Sequence, residues 1–144
     1  MRAVVLDANA ALDWFIPSEV GDAYSQPLAV IAGETGTRFR VPLHFDIEVA
    51  RILVNRHKRD PQQFSAKWLA EALHVLDILP IDSVAQGINF KLLGELSKAY
   101  NLAVPDVPYF HLARMMEIPI ASRDRGIVSA CKAWHVQHWQ PLPA

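Results

Sequence analysis

A chain of 144 residues, 51% hydrophobic and 20% charged, is long enough for one domain with a packed core and too short for two ordinary ones, so 1–144 is expected to be a single domain and not a disordered or low-complexity chain. A formal charge of -1 supplies no net attraction for nucleic acid or anionic lipid, so any polyanion must be met by a local patch. The lone Cys131 closes no internal disulfide, and no stretch reaches the roughly 20 apolar residues of a membrane span or resembles a secretory signal, so a cytoplasmic protein is expected.

Short apolar runs alternate with stretches of helical period, the pattern of βαβ units that build a parallel sheet covered by helices. Ala3 to Leu6 reads as a buried first strand closed by Asp7, and Asn9 to Phe15 as a short helix stopped by Pro17. Ser18 to Gly36 has helical content, with Pro27 starting a new turn or kinking it. Arg38 to Val41, ended by Pro42, is a second strand. From His44 to Lys58 the period is helical, with Glu48, Arg51, Asn55, Lys58 and Arg59 in one polar sector. Asp60-Pro61 breaks that helix, and Phe64, Trp68, Leu69, Ala72 and Leu76 give the next a buried stripe. Asp77 to Pro80 is expected as a third strand, Val84 to Tyr100 as a helix, and Leu102 to Pro105 as a loop. Asp106-Val107-Pro108 opens a helix with Tyr109, Leu112, Ala113 and Met116 on one face. Ile118 to Ala121 is a fourth strand, Asp124 opens a helix through Cys131, and Val136 to Trp139 is a candidate fifth strand.

This map puts Asp7 and Asp124 where a strand hands over to a helix, and Asp106 at a helix start. In open α/β sheets ligands bind along that carboxyl-end rim. Each acid also has a plain structural use, because Asp is a preferred helix cap and Glu48 can pair with Arg51 three residues on. Asp7 fits the plain use least, since it follows four apolar residues at a strand end. Taken together, four carboxylates with no Cys or His at metal spacing suit a hard cation, Mg²⁺ or Mn²⁺, rather than Zn²⁺. Such a cation neutralises phosphate charge and activates water, which is what phosphodiester hydrolysis requires.

Val4-Val5-Leu6-Asp7-Ala8-Asn9, Pro42 with Glu48-Val49 and Ile52-Leu53, Asp106 with Tyr109 and Leu112-Ala113, and Ala121-Ser122-Arg123-Asp124 together resemble the PIN-domain family, most closely its VapC-like ribonuclease toxins. The resemblance runs over almost the whole chain; no single motif is specific, and the signal is four acids in order with their flanking residues. It implies a three-layer α/β fold with a central parallel sheet of four to five strands flanked by helices. It also implies a Mg²⁺- or Mn²⁺-dependent endoribonuclease acting on single-stranded RNA, the toxin of a toxin-antitoxin pair, inhibited by a cognate antitoxin. Carried over by position, Asp7 and Asp106 resemble the principal metal ligands, Glu48 the helix acid that orients ligand or water, and Asp124 the fourth acid. Asn9 and Ser122 match small polar positions that hydrogen-bond within such a site and would fix the orientation of its carboxylates. Pro105 and Pro108 bracket Asp106 more rigidly than is usual in the family, and Ser18 to Gly36 does not align with it.

Arg51 and Arg125, beside Glu48 and Asp124, are the candidate RNA contacts, ahead of Arg56, Lys58, Arg59 and Arg123. The six histidines form no ligand spacing and read as surface or partly buried residues; Cys131 reads as a small buried hydrophobe, and the scattered Trp residues as packing. A mean hydropathy of +0.11 is apolar for a small monomer and predicts surface buried in a homodimer or under an antitoxin. Two rivals remain. A haloacid-dehalogenase-like phosphatase would need a second Asp where Asn9 stands, and a non-catalytic protein of the same fold would use the acidic pocket only to bind a cation or a basic partner segment.

Overall fold

The computed structural model describes residues 2–143 of the chain. Four parallel strands, β1 (Ala3–Leu6), β2 (Arg38–Pro42), β3 (Ile81–Val84) and β4 (Ile120–Ala121), form one sheet in the order β3-β2-β1-β4. Helices α1 (Ala8–Leu12), α2 (Glu19–Thr35), α3 (Phe45–Arg59) and α4 (Ala66–Ile78) lie in the β1-to-β2 and β2-to-β3 crossovers. Helices α5 (Phe90–Tyr100) and α6 (Val107–Met116) carry the chain from β3 back to β4, and α7 (Arg125–Trp134) follows. Because β1→β2→β3 steps one way across the sheet and β3→β4 steps back, right-handed crossovers put α1–α4 on one face and α5–α6 on the other. Trp134 of α7 packs edge-on against Tyr100 of α5, placing α7 in the second layer. The result is a three-layer α/β fold with a parallel central sheet, as expected, closed on Val4, Val5, Leu6, Phe39 and Val41, all fully buried.

Helix boundaries follow their caps. Ser18 accepts from the Gly21 amide to open α2, and Gly36, at φ 67, closes it in the left-handed conformation that glycine adopts without strain. Between them the helix runs through Pro27 rather than restarting there. The first helix ends at Leu12, short of Phe15, and α3 runs one residue beyond Lys58 to Arg59, buried along Phe45, Val49 and Leu53.

Three expectations are corrected. Asp77 to Pro80 is not a strand: α4 continues to Ile78, the Leu79 amide closes it on Val75, and Pro80 has no amide to lend a ladder, so pairing with β2 begins at Ile81. The next helix starts at Phe90, not Val84. Val84 ends β3, Gly87 turns the chain at φ 64, and the Asn89 side chain caps α5 by accepting from Leu92. Val136 to Trp139 makes only a single bridge, Ile120 to His138, flanked by bonds from Ile120 N to Gln137 O and from Trp139 N to Ile120 O. Pro141 follows without a donor, so the ladder stops and, among the described residues, the sheet has four strands. Leu102 to Pro105 ends in a 3-10 turn, Val104–Asp106, leading into α6.

Candidate active site

In a sheet ordered β3-β2-β1-β4, helices leave β1 and β4 toward opposite faces, so their carboxyl ends open the crevice where α/β proteins bind ligands. Asp7 ends β1 there, Ser122–Asp124 follow β4, and α3 and α6 bring Glu48 and Asp106. The four acids lie within one electrostatic neighbourhood: Asp7 is acted on by the charges of Asp106 and Glu48, and Asp106 by those of Asp124 and Glu48.

Asp7 is 4% exposed. Burial first, then the charges of Asp106 and Glu48, push its carboxyl up to about 7, against hydrogen bonds from the Ser122 hydroxyl and the Ala8 amide. Asp106, half-buried, is pushed up to about 6 by desolvation and by Asp124 and Glu48, while His44 acts the other way. The capping alternatives divide the acids. Asp124 is a genuine cap, its Oδ1 accepting from the Ile127 amide at 2.9 Å. Asp7 and Asp106 occupy the cap positions of α1 and α6 without a capping bond.

Ser122 is fully buried; its Oγ donates to Asp7 Oδ2 at 2.6 Å and accepts from the Asp124 amide at 3.0 Å, so one hydroxyl ties two acids. The Ser122 peptide is fixed in turn: its N–H donates to Tyr24 Oη at 3.1 Å, and its carbonyl accepts from His138 Nε2 at 2.7 Å. Tyr24 donates onward to the Trp139 carbonyl at 2.7 Å. Asn9 does not reach a carboxylate; its Oδ1 accepts from the Arg123 amide at 3.2 Å and holds the β4–α7 loop.

Glu48 is held by groups from outside its own polar sector. Tyr109 donates to Glu48 Oε1 at 3.0 Å, and His44 Nε2 lies 3.9 Å from Oε2. Among the described residues no ion pair joins Glu48 to Arg51. Arg51 and Arg125 are exposed on α3 and α7. Arg123 is committed elsewhere, in a forked pair with Asp13 at 2.6 and 2.7 Å, and Arg56 lies over the Phe64 ring.

Sequence reasoning passed over several of these groups, Tyr24, His138, His44 and Asp13 among them. His44 stands four residues before Glu48, the helical spacing that makes neighbours, and that was its one signal. Asp13, 6% exposed, carried none, because its partners Arg123 and Ser25 lie far along the chain. Cys131 is buried and its thiol is pushed up to about 11.

The all-oxygen donor set, with two acids held up by burial and by one another, is chemically suited to a hard divalent cation. Its spacing is open, since among the described residues no three Asp, Glu, His or Cys side chains gather closely enough to hold a metal ion as they stand. Two of the surface clefts lie elsewhere, one of about 420 Å³ between α3, α4 and β3 and one of about 440 Å³ between α2 and α4. Among the described residues no helix is long and apolar enough to cross a membrane.

The chain matches no protein-family model and no curated protein. It is similar to a solved structure, the crystal structure of PAE2754 from Pyrobaculum aerophilum, with a TM-score of 0.62 at 11% identity over 90% of this chain and 79% of that one. At that identity the likeness is one of fold, and the fold it supports is the three-layer α/β arrangement with a parallel central sheet.

Proposed function

We propose that this protein is a Mg²⁺- or Mn²⁺-dependent endoribonuclease of the PIN type that cleaves single-stranded RNA, acting as the toxin of a toxin-antitoxin pair. The observation that carries the reading is the gathering of four acids at the crevice between β1 and β4, where burial, helped by the charges of Asp106 and Glu48, raises Asp7, and burial, helped by those of Asp124 and Glu48, raises Asp106. A buried carboxyl held near 7 is a cost to the fold, and a ligand that favours its ionised form recovers that cost.

Asp7 and Asp106 would hold the cation, with Glu48 and Asp124 completing the site. When bound, the cation supplies charge neutralisation at the phosphate and activation of water. Ser122 keeps Asp7 Oδ2 oriented, and Tyr109 keeps Glu48 Oε1 oriented. Glu48, its side chain 22% exposed and so open to water, would accept the proton of a water attacking the scissile phosphorus. The new P–O bond forms in line with the breaking bond to the 3′ oxygen, which takes up a proton, leaving a 5′-phosphate and a 3′-hydroxyl. Arg51 and Arg125 are the proposed phosphate contacts on the rim.

The same reading includes a protein partner, an antitoxin or a second copy of the chain, because large apolar side chains stand in water, Phe90 95% exposed and Ile47 74%. Sedimentation at concentrations above micromolar tests self-association; a strict monomer removes the homodimer.

Purified protein incubated with single-stranded RNA is expected to cleave with Mg²⁺ or Mn²⁺ and not with EDTA. Cleavage that survives EDTA, or is unchanged in Asp7→Asn and Asp106→Asn, refutes the proposal. The open spacing of the acids favours a second reading, in which the pocket only binds a cation or the basic side chain of a partner. Tight binding of an Arg-bearing peptide, with no turnover of any RNA in Mn²⁺, would select it.

A further inference from the structure

Tyr109 belongs to the core by every packing measure, being 0% exposed within the buried face of α6. A phenylalanine would fill that volume, so the hydroxyl needs its own explanation. A buried phenol must find a partner, and here the partner is not a backbone carbonyl but the Oε1 of Glu48, on another helix, at 3.0 Å. The carboxylate has only acceptor atoms, so Tyr109 is the donor.

His44 stands beside the other oxygen, too far to hydrogen-bond it, and is tied instead to the turn before α6. Its Nε2 lies 3.1 Å from the Pro105 carbonyl, an acceptor only, so Nε2 carries the proton. The same nitrogen is 3.9 Å from Glu48 Oε2, and the imidazole packs edge-on against the Tyr109 ring at 5.1 Å. Each oxygen of Glu48 therefore faces a different aromatic residue, one from α6 and one from the start of α3. Both residues also reach toward Asp106, since Pro105 precedes it and Tyr109 stands one helical turn after it. The contact runs across α3 and α6, whose acids otherwise come from separate crossovers.

We propose that Tyr109 and His44 are positioning residues, a bracket between α6 and α3 that sets the orientation of Glu48 and its separation from Asp106. The inference rests on the nuclease reading for its catalytic consequence, while the bracket itself has a readout that does not need RNA. Without the bracket Glu48 is free to rotate into solvent, and a carboxylate displaced by an ångström loses much of its worth as a proton acceptor or ligand.

The test uses the full chain with Tyr109→Phe, which keeps the ring, and the pair His44→Ala and His44→Gln, of which Gln keeps a donor near Nε2. In thermal denaturation, Tyr109→Phe is expected to lower Tm in the wild-type background and to leave or raise it in Glu48→Ala, where the hydroxyl would have no partner. Equal Tm shifts in the two backgrounds overturn the bracket. With RNA and Mn²⁺, Tyr109→Phe and His44→Ala are expected to lose roughly tenfold or more in kcat at unchanged KM, and His44→Gln to recover most of it. Wild-type kcat in Tyr109→Phe, or an equal loss in Gln and Ala, overturns the positioning role. If the wild type cleaves no RNA, the nuclease reading fails by itself, and Mn²⁺ affinity by calorimetry decides the inference. Affinity reduced in Tyr109→Phe supports it; unchanged affinity, or no binding by the wild type, overturns it.

Discussion

Replacing Asp7 by Asn should remove the larger part of the chain's weakening as pH rises, leaving the smaller part that Asp106, pushed up to about 6, contributes in both proteins. In the fold the Asp7 carboxyl is pushed from an ordinary 3.8 up to about 7, chiefly by burial, whereas in the unfolded chain it ionises at its ordinary value. Between those values the folded state holds a proton that the unfolded state has released, so unfolding becomes easier as pH rises through the window. The stabilising neutral form is fully present below about 4 and is lost by the time pH passes 7. At about 1.4 kcal/mol per pH unit, the whole window is worth about 4 kcal/mol, with about 3 of it falling between pH 5 and pH 8. Asn removes the ionisation while its amide oxygen can still accept from Ser122 Oγ. Urea denaturation of wild type and Asp7→Asn at pH 5, 6, 7 and 8 is the assay. The expected result is a wild-type stability that falls across the series and a variant that falls by about 3 kcal/mol less, becoming the more stable protein at pH 8. Parallel pH dependence in the two proteins would refute the assignment of a neutral, buried Asp7.

Further outcomes follow from the same contacts. Mn²⁺ at pH 8 should raise the Tm of the wild type, because a cation bound to the ionised acids stabilises the folded state by mass action, and should leave Asp7→Asn unmoved; equal shifts in scanning calorimetry would exclude a site at Asp7. Ser122→Ala removes the hydroxyl between Asp7 and the Asp124 amide and should cost about 1–3 kcal/mol by chemical denaturation. Arg123→Ala strands Asp13, which is 6% exposed and then keeps only the Ser25 hydroxyl of its side-chain donors, and should cost about 2–3 kcal/mol, discounted because Arg123 is a third exposed. Gly21→Ala would bring a Cβ to 2.5 Å from Asp13 Oδ1 and 2.6 Å from Ser18 Oγ, so it should lower Tm through both the ion pair and the α2 cap.

The acids at strand ends were legible because an apolar run followed by Asp has one physical meaning in a buried parallel strand, and β1 and Asp7 follow directly from Ala3-Val4-Val5-Leu6. The third strand was not. Val84, Ile88, Leu92 and Leu96 keep a spacing of four that mimics a helix face, but the first belongs to β3 and a left-handed Gly87 separates them. Helical period in a short window does not register a turn that lies inside it. The contacts around Glu48 were hidden for another reason. Arg51 was the neighbour along the helix, and the partner the fold supplies is Tyr109, 61 residues away, which periodicity had already assigned to the core. A buried side chain that also bonds a charged group carries a single signal in sequence, and the apolar one is the louder.

The caps give the last step. Asp124 gives one oxygen to the Ile127 amide and stabilises α7 by about 1 kcal/mol, so it has a structural use besides any part in the site. Asp7 and Asp106 stand at equivalent positions and make no such bond, so neither repays its burial with a cap. Serine at either place could cap the helix without adding a charge to the crevice. Two uncapped acids, each raised by burial and by the other carboxylates, weaken the fold as they ionise. Protonation removes the loss at low pH; near neutrality a positive group entering between β1 and β4 would offset it, and a divalent cation and a partner's arginine both meet that description. They part on one observable: a cation that serves catalysis leaves the rim open to RNA, whereas an arginine that fills the pocket closes it, so Mn²⁺-dependent turnover inhibited competitively by an Arg-bearing peptide would place both in the same crevice.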